Sequence, residues 1–213
     1  MKQFNNISTL IFDFGGVLIN LNIDRCIQNF KQLGLENFEN LLSNFGQKDF
    51  FLKFEKGEIG VVEFRDEIRK LSKNNLRDEE IDAAWCSFLC DIPSEKLVLL
   101  FELKKRFRIV MLSNTNPLHI EVSAKKEFAK TNKTISDYFD ACYLSYEMKM
   151  VKPNADIFEK LLKDEQVQAN RCLFLDDGPK NIEQGKKMGF NTYLVDVEED
   201  LSFLLAPNTF VND

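Results

Sequence analysis

Leu10-Ile11-Phe12-Asp13-Phe14-Gly15-Gly16-Val17-Leu18 is an apolar run that stops at a carboxylate and a pair of glycines. Its first three residues do not alternate with polar ones. A strand of that kind is covered on both faces, as in a parallel sheet packed between helices. The same punctuation returns along the chain. Ile109-Val110-Met111-Leu112 stops at Ser113-Asn114, and Cys142-Tyr143-Leu144 stops at Ser145. Cys172-Leu173-Phe174-Leu175 stops at Asp176-Asp177-Gly178, and Thr192-Tyr193-Leu194-Val195 stops at Asp196. Helical patterns lie between most of these runs. The alternation predicts an α/β fold, a parallel sheet flanked by helices.

Helix starts agree with that reading. Asn116-Pro117 is an N-cap followed by proline at the first helical position. Asn154 precedes an amphipathic segment carrying Ile157, Phe158, Leu161 and Leu162. Gly178-Pro179 opens a further helix, which Gly189 is expected to end. Between the first and second strands the alternation breaks. Residues 20–93 have helical periodicity, little strand signal and many phenylalanines: Phe30, Phe38, Phe45, Phe50, Phe51, Phe54, Phe64 and Phe88. They are read as a helical insert with its own small core, one or two of whose rings line a substrate pocket. Residues 1–19 and 94–213 then form the α/β core.

With 213 residues, 44% hydrophobic and 29% charged, the chain is globular. It is long enough to bury a core without metal or disulfide staples. A net charge of −6 argues against a nucleic-acid partner, but leaves room for a locally positive site for one phosphorylated small molecule. No apolar stretch approaches the ~20 residues of a membrane span, and Met1-Lys2-Gln3-Phe4-Asn5-Asn6 does not resemble a signal peptide. Five cysteines, Cys26, Cys86, Cys90, Cys142 and Cys172, form no CxxC pair. They fit a reducing compartment, so a cytoplasmic location is expected. One histidine, His119, makes a Cys/His zinc site improbable, and His119 is read as structural.

In an open α/β sheet, ligands bind beyond the carboxyl ends of the strands. Asp13, Ser113 and the Asp176-Asp177 pair all fall there. Asp13 before two glycines is either a nucleophile with room for a ligand at Gly15-Gly16 or an ordinary turn aspartate. Ser113 and Asn114 either meet a phosphate oxygen or begin a turn. Lys152, in Val151-Lys152-Pro153, either neutralises phosphate or is one solvated lysine among many. Asp176 and Asp177 either hold a hard cation such as Mg²⁺ or cap a helix.

Taken in order, four segments resemble the motifs of the haloacid dehalogenase-like hydrolase superfamily. They are Ile11-Phe12-Asp13-Phe14-Gly15-Gly16-Val17-Leu18, Met111-Leu112-Ser113-Asn114-Thr115-Asn116, Lys152-Pro153, and Phe174-Leu175-Asp176-Asp177-Gly178-Pro179-Lys180-Asn181. Phe54-Glu55-Lys56-Gly57-Glu58-Ile59 is similar to the subgroup with glucose-1-phosphate phosphatases and epoxide-hydrolase N-terminal domains. The resemblance implies a Rossmann-like sheet with an inserted helical cap of the C1 type over its strand ends. It implies a hydrolase in which Asp13 attacks phosphorus and forms an aspartyl-phosphate. Lys152 would balance charge, and Ser113, Asn114 and Gly16 would lie against the phosphoryl group. Mg²⁺ would be held by Asp13, the Gly15 carbonyl and Asp177, with Asp176 helping through water.

One departure stands out. Phosphatases of this superfamily usually carry a second aspartate two residues after the nucleophile, and here that position is Gly15. General acid–base help is worth about 10²–10⁴-fold, and glycine transfers no proton. Asn20 and Asn22 stand where relatives tend to have acids, and Asp24 is the nearest remaining carboxylate, at an expected helix N-cap. Three readings follow: a Mg²⁺-dependent phosphatase of a small phosphorylated metabolite such as a sugar phosphate, a metal-free haloacid dehalogenase, or a non-catalytic module binding a phosphorylated ligand or a protein. The first is preferred, since dehalogenases carry neutral residues in place of the acid pair.

Overall fold

The computed structural model describes residues 3–39 and 49–211. Five strands form one parallel sheet: β2 (Thr9–Phe12), β3 (Arg108–Ser113), β4 (Ala141–Leu144), β5 (Cys172–Asp176) and β6 (Asn191–Leu194), in the order β4-β3-β2-β5-β6. Two-residue strands β1 (Phe4–Asn5) and β7 (Phe210–Val211) pair apart from it. The α-helices bounded within the described residues are α1 (Ile23–Gln32), α2 (Asp49–Glu55), α3 (Val61–Leu71), α4 (Asp78–Cys86), α5 (Ser94–Leu103), α6 (Pro117–Glu127), α7 (Ile135–Tyr138), α8 (Ser145–Met148), α9 (Ala155–Glu165) and α10 (Pro179–Lys187).

The expectation of strands covered on both faces holds for the inner three. Every residue of β2 and β5 is buried, and only Arg108 of β3 is exposed. Side chains alternate across the sheet. Leu10, Phe12, Ile109, Met111, Leu173 and Leu175 pack on the face that α5 covers. Ile11, Val110, Leu112, Cys172 and Phe174 pack on the other, against Ile157, Phe158 and Leu161 of α9 and Ile182 of α10. Register sets the site. Phe12 lies opposite both Met111 of β3 and Leu175 of β5, so the three strands end nearly level. The residues that follow them meet at one sheet edge.

The segment between β2 and β3 is helical and carries an apolar cluster of its own, with Phe30, Phe38, Phe51, Phe54, Phe64 and Trp85 at its centre. Phe30 stacks on Phe38 at 3.9 Å and Phe54 on Phe64 at 4.2 Å. Phe50 and Phe88 pack at its margin, while Phe45 lies outside the described residues. The chains entering and leaving the segment run side by side. Asn20 N–H donates to Asp91 O at 3.0 Å, Cys90 N–H to Asn20 O at 2.8 Å and Asn22 N–H to Phe88 O at 2.8 Å.

Asn116 caps α6 as its sequence predicts, accepting from His119 N–H at 3.0 Å. Asn154 stands at the N-cap of α9 without a side-chain cap bond. At α1 the expectation for Asp24 is corrected. Asn22 is the cap, accepting from Arg25 N–H at 2.9 Å, and Asp24 lies in the first turn. Both residue types cap well, and the inter-strand bond of Asn22 decides where the helix begins. No helix among the described residues is long and apolar enough to cross a membrane.

Candidate active site

Asp13 continues the ladder one residue past β2: its N–H donates to Leu175 O at 2.9 Å. Its carboxyl is buried at the strand end, and Oδ1 accepts from Phe14 N–H at 2.7 Å. Lys152 arrives from the loop before α9 and is buried too. Its ammonium lies 2.9 Å from Asp13 Oδ1 and 2.6 Å from Asp176 Oδ2, and it donates to Leu112 O at 2.8 Å. All three ammonium protons therefore have acceptors. Asp176 is equally saturated: Oδ1 accepts from Gly178 N–H at 2.7 Å and Asn181 Nδ2 at 2.9 Å.

Burial raises the Asp13 carboxyl to about 7; Lys152 opposes that shift and the charges of Asp176 and Asp177 add to it. Burial works to lower the Lys152 ammonium, but Asp13 and Asp176 outweigh it and hold the group above its ordinary range. Asp177 faces solvent yet is also raised, by partial burial and by Asp176.

Ligand oxygens of Asp13, Asp176 and Asp177 all lie within 4.8 Å of one another. Hard oxygens at that spacing suit Mg²⁺. With Asp176 consumed by Lys152, Gly178 and Asn181, the second oxygen of Asp13 and the carboxylate of Asp177 remain free for it. No lysine or arginine among the described residues forms an ion pair with Asp177. Gly16 keeps the cluster open. Its φ is +73°, and a Cβ there would stand 2.2 Å from Asp177 Oδ2.

Ser113, at the end of β3, lines a cavity of about 370 Å³ that also reaches Asp13, Gly15, Asn114 and Asp177. The structure assigns the Asn114 side chain to a different job from the one expected. Its Oδ1 accepts from Lys152 N–H at 2.8 Å and its Nδ2 donates to Lys152 O at 2.9 Å, so the amide clamps the lysine's backbone. The residue nonetheless lines the cavity. Asn20, Asn22 and Asp24 do not line the cavity.

Phe88 lines the cavity as expected of one or two rings of the insert, and three further participants were not legible beforehand. Trp85 and Phe88 form an apolar wall, Thr115 joins the floor, and Glu55, the last residue of α2, contributes a carboxyl. Ser145 Oγ lies 2.6 Å from Glu55 O and 3.0 Å from Thr115 O, and accepts from Thr115 N–H at 2.9 Å. His119 stacks on Trp85 at 4.9 Å and on Phe88 at 5.8 Å. Burial holds its imidazole down at about 4, which agrees with a structural part, although it also borders the cavity. The one sequence signal for Glu55 is the Phe54–Ile59 segment, whose pattern does not say which side chain faces the strand ends.

Residues 7–189 match the haloacid dehalogenase-like hydrolase family. D-ribitol-5-phosphate phosphatase of Bacteroides thetaiotaomicron is 36% identical over 187 residues, 88% of this chain and 91% of that protein. A HAD family enzyme of the same organism, solved with magnesium and inorganic phosphate, superposes with a TM-score of 0.90 at 42% identity, over 94% of this chain and all of that one. A HAD-like family hydrolase from Porphyromonas gingivalis superposes with a TM-score of 0.87 at 34% identity, over 94% of this chain and 96% of that one.

Proposed function

The chain belongs to the haloacid dehalogenase-like hydrolases, and we propose that it is a Mg²⁺-dependent phosphatase of a small polyol or sugar phosphate, working through an aspartyl-phosphate on Asp13. One observation carries the reading: the buried ammonium of Lys152 binds Asp13 and Asp176 together at the open end of the sheet. A single cation there holds the nucleophile in place and offers positive charge to an incoming phosphoryl group. Phosphoryl transfer depends mainly on such positioning and neutralisation.

In the proposed reaction Asp13 attacks phosphorus with its outer oxygen while Lys152 grips the inner one. The Ser113 hydroxyl and Asn114 main-chain N–H hold phosphoryl oxygens. Water then attacks the aspartyl-phosphate and regenerates Asp13. Asp13, the Gly15 carbonyl and Asp177 would hold Mg²⁺, which would supply further neutralisation of the phosphoryl oxygens. Asp176 acts through Lys152 and the turn to Asn181. The helices of residues 20–93 serve as a cap that excludes water and selects the substrate, on the paired connecting chains as hinge. Among the described residues no lysine or arginine forms an ion pair with Asp177, which favours the metal-dependent reading over the metal-free one.

The substrate class rests on the relative named D-ribitol-5-phosphate phosphatase and on a cavity of small-molecule size, about 370 Å³. The test is phosphate release from polyol 5-phosphates, sugar 1-phosphates, sugar 6-phosphates and p-nitrophenyl phosphate, with and without Mg²⁺, beside Asp13→Asn. Turnover that needs Mg²⁺ and disappears in Asp13→Asn is expected. Equal release from the variant would overturn the assignment of the nucleophile.

A further inference from the structure

A phosphatase that cleaves an alkyl ester has to protonate an alkoxide, and Gly15 offers no proton. This inference rests on the phosphatase reading above. Among the described residues, the cavity has five titratable side chains: Asp13, Asp177, Cys26, His119 and Glu55. Asp13 and Asp177 are engaged as nucleophile and metal ligand. Burial pushes the Cys26 thiol up to about 12 and holds the His119 imidazole down at about 4, so it carries no proton to give at neutral pH. Glu55 remains. Its carboxyl reaches the cavity from the insert side, and none of the described residues hydrogen-bonds to it or pairs with it.

Its backbone is held where an acid would be useful. Ser145 ties Glu55 O to Thr115, one residue past the Ser113-Asn114 phosphate loop. Two residues on, Gly57 lies against the core with φ +60°; a Cβ there would meet Tyr146 O at 2.1 Å. Lys149 Nζ donates to Gly57 O. The end of α2 is thus clasped to α8, next to the strand ends.

We propose that Glu55 is the general acid and base that replaces the acid missing at Gly15. In the first step Asp13 Oδ bonds to phosphorus, the bond from phosphorus to the ester oxygen breaks, and the Glu55 carboxyl proton passes to that oxygen, releasing the alcohol. In the second step the Glu55 carboxylate takes a proton from water as the water oxygen bonds to phosphorus and the Asp13 acyl-phosphate bond breaks. Inorganic phosphate leaves, and both Asp13 and a protonated Glu55 are restored. Burial keeps Glu55 suited to this cycle, raising it to about 7; the charge of Asp13 adds to the shift and Lys152 opposes it.

Leaving-group dependence tests the proposal on the full chain with Mg²⁺. Glu55→Gln should cut kcat on D-ribitol 5-phosphate and glycerol phosphate by about 10²–10⁴-fold. On p-nitrophenyl phosphate, whose leaving group needs no proton, Glu55→Gln should still release about one equivalent of p-nitrophenolate in a fast burst. Slow steady-state release should follow, because hydrolysis of the phosphoenzyme has lost its base. Glu55→Asp, which keeps the carboxyl, should recover part of the alkyl-ester rate. Equal losses on both ester types without a burst, no loss on either, or a Glu55→Asp no faster than Glu55→Gln would each overturn the role of Glu55 alone. A wild-type chain inactive on every ester would overturn the phosphatase reading, and this one with it.

Discussion

Lys152 shows how a residue that looks ordinary in sequence becomes indispensable in place. It is one of 28 basic residues, yet its ammonium is buried against two carboxylates and a carbonyl. Removing the charge strands Asp13 and Asp176 together in a poorly solvated site. Breaking a buried pair from one side costs about 3–5 kcal/mol. Lys152→Met should therefore lower the midpoint of thermal unfolding by several degrees and abolish phosphate release. Unchanged melting would mean that the carboxylates are hydrated and the ammonium is not structural. Asp13 was legible from its position after an apolar run, and Asp176-Asp177 likewise. The clamp of Asn114 on the lysine's backbone was not, because it joins residues 38 apart.

At the scale of elements, the contact between α2 and α8 depends on the absence of one side chain. Gly57 sits at positive φ with Tyr146 O where a side chain would be. Left-handed backbone costs an L-residue about 1–2 kcal/mol, and here the obstructing atom is main chain, which does not step aside. Gly57→Ala should pull the end of α2 from the core, lower stability by about 1–3 kcal/mol, and reduce alkyl-phosphate turnover through displacement of Glu55. Chemical denaturation beside kcat on the same preparation checks both. A stable, fully active variant would show that the clasp does not position the site. The neighbouring helices illustrate what local pattern reveals. Asn116-Pro117 marks the start of α6 without ambiguity, since the cap and the proline agree. At α1 the expected cap was Asp24, but Asn22 takes that place, held by a hydrogen bond from its N–H to Phe88 O, 66 residues away.

Over the whole molecule, the inserted helices and the sheet domain meet around His119. The imidazole of α6 stacks on Trp85 and Phe88 from the insert. Burial depresses its pKa from 6.5 to about 4, with only the Trp85 carbonyl opposing. Between those values the unfolded chain binds a proton that the folded one refuses. Its contribution to stability is therefore complete above pH 6.5 and is lost as pH falls towards 4, by at most about 3 kcal/mol. Asp13 and Glu55, raised by burial to about 7, gain stability over the same fall in pH, so the His119 share is read as the difference between the thermal-unfolding pH profiles of the wild type and His119→Phe, which keeps the stacking. A variant whose curve parallels the wild type would place the acid sensitivity in other groups.

The order of apolar runs and their stops is a local property, so the α/β class, the helical insert and the strand-end position of Asp13, Ser113 and Asp176-Asp177 were all readable in one dimension. Strand burial on both faces forces continuous hydrophobicity, and helix caps need particular side chains; both leave marks in sequence. Which oxygens the lysine grips, and which insert carboxyl reaches the nucleophile, leave no such mark. They depend on the register that ends β2, β3 and β5 together, and on a glycine letting two backbones touch. Those are distances between residues far apart in the chain, and packing alone decides them.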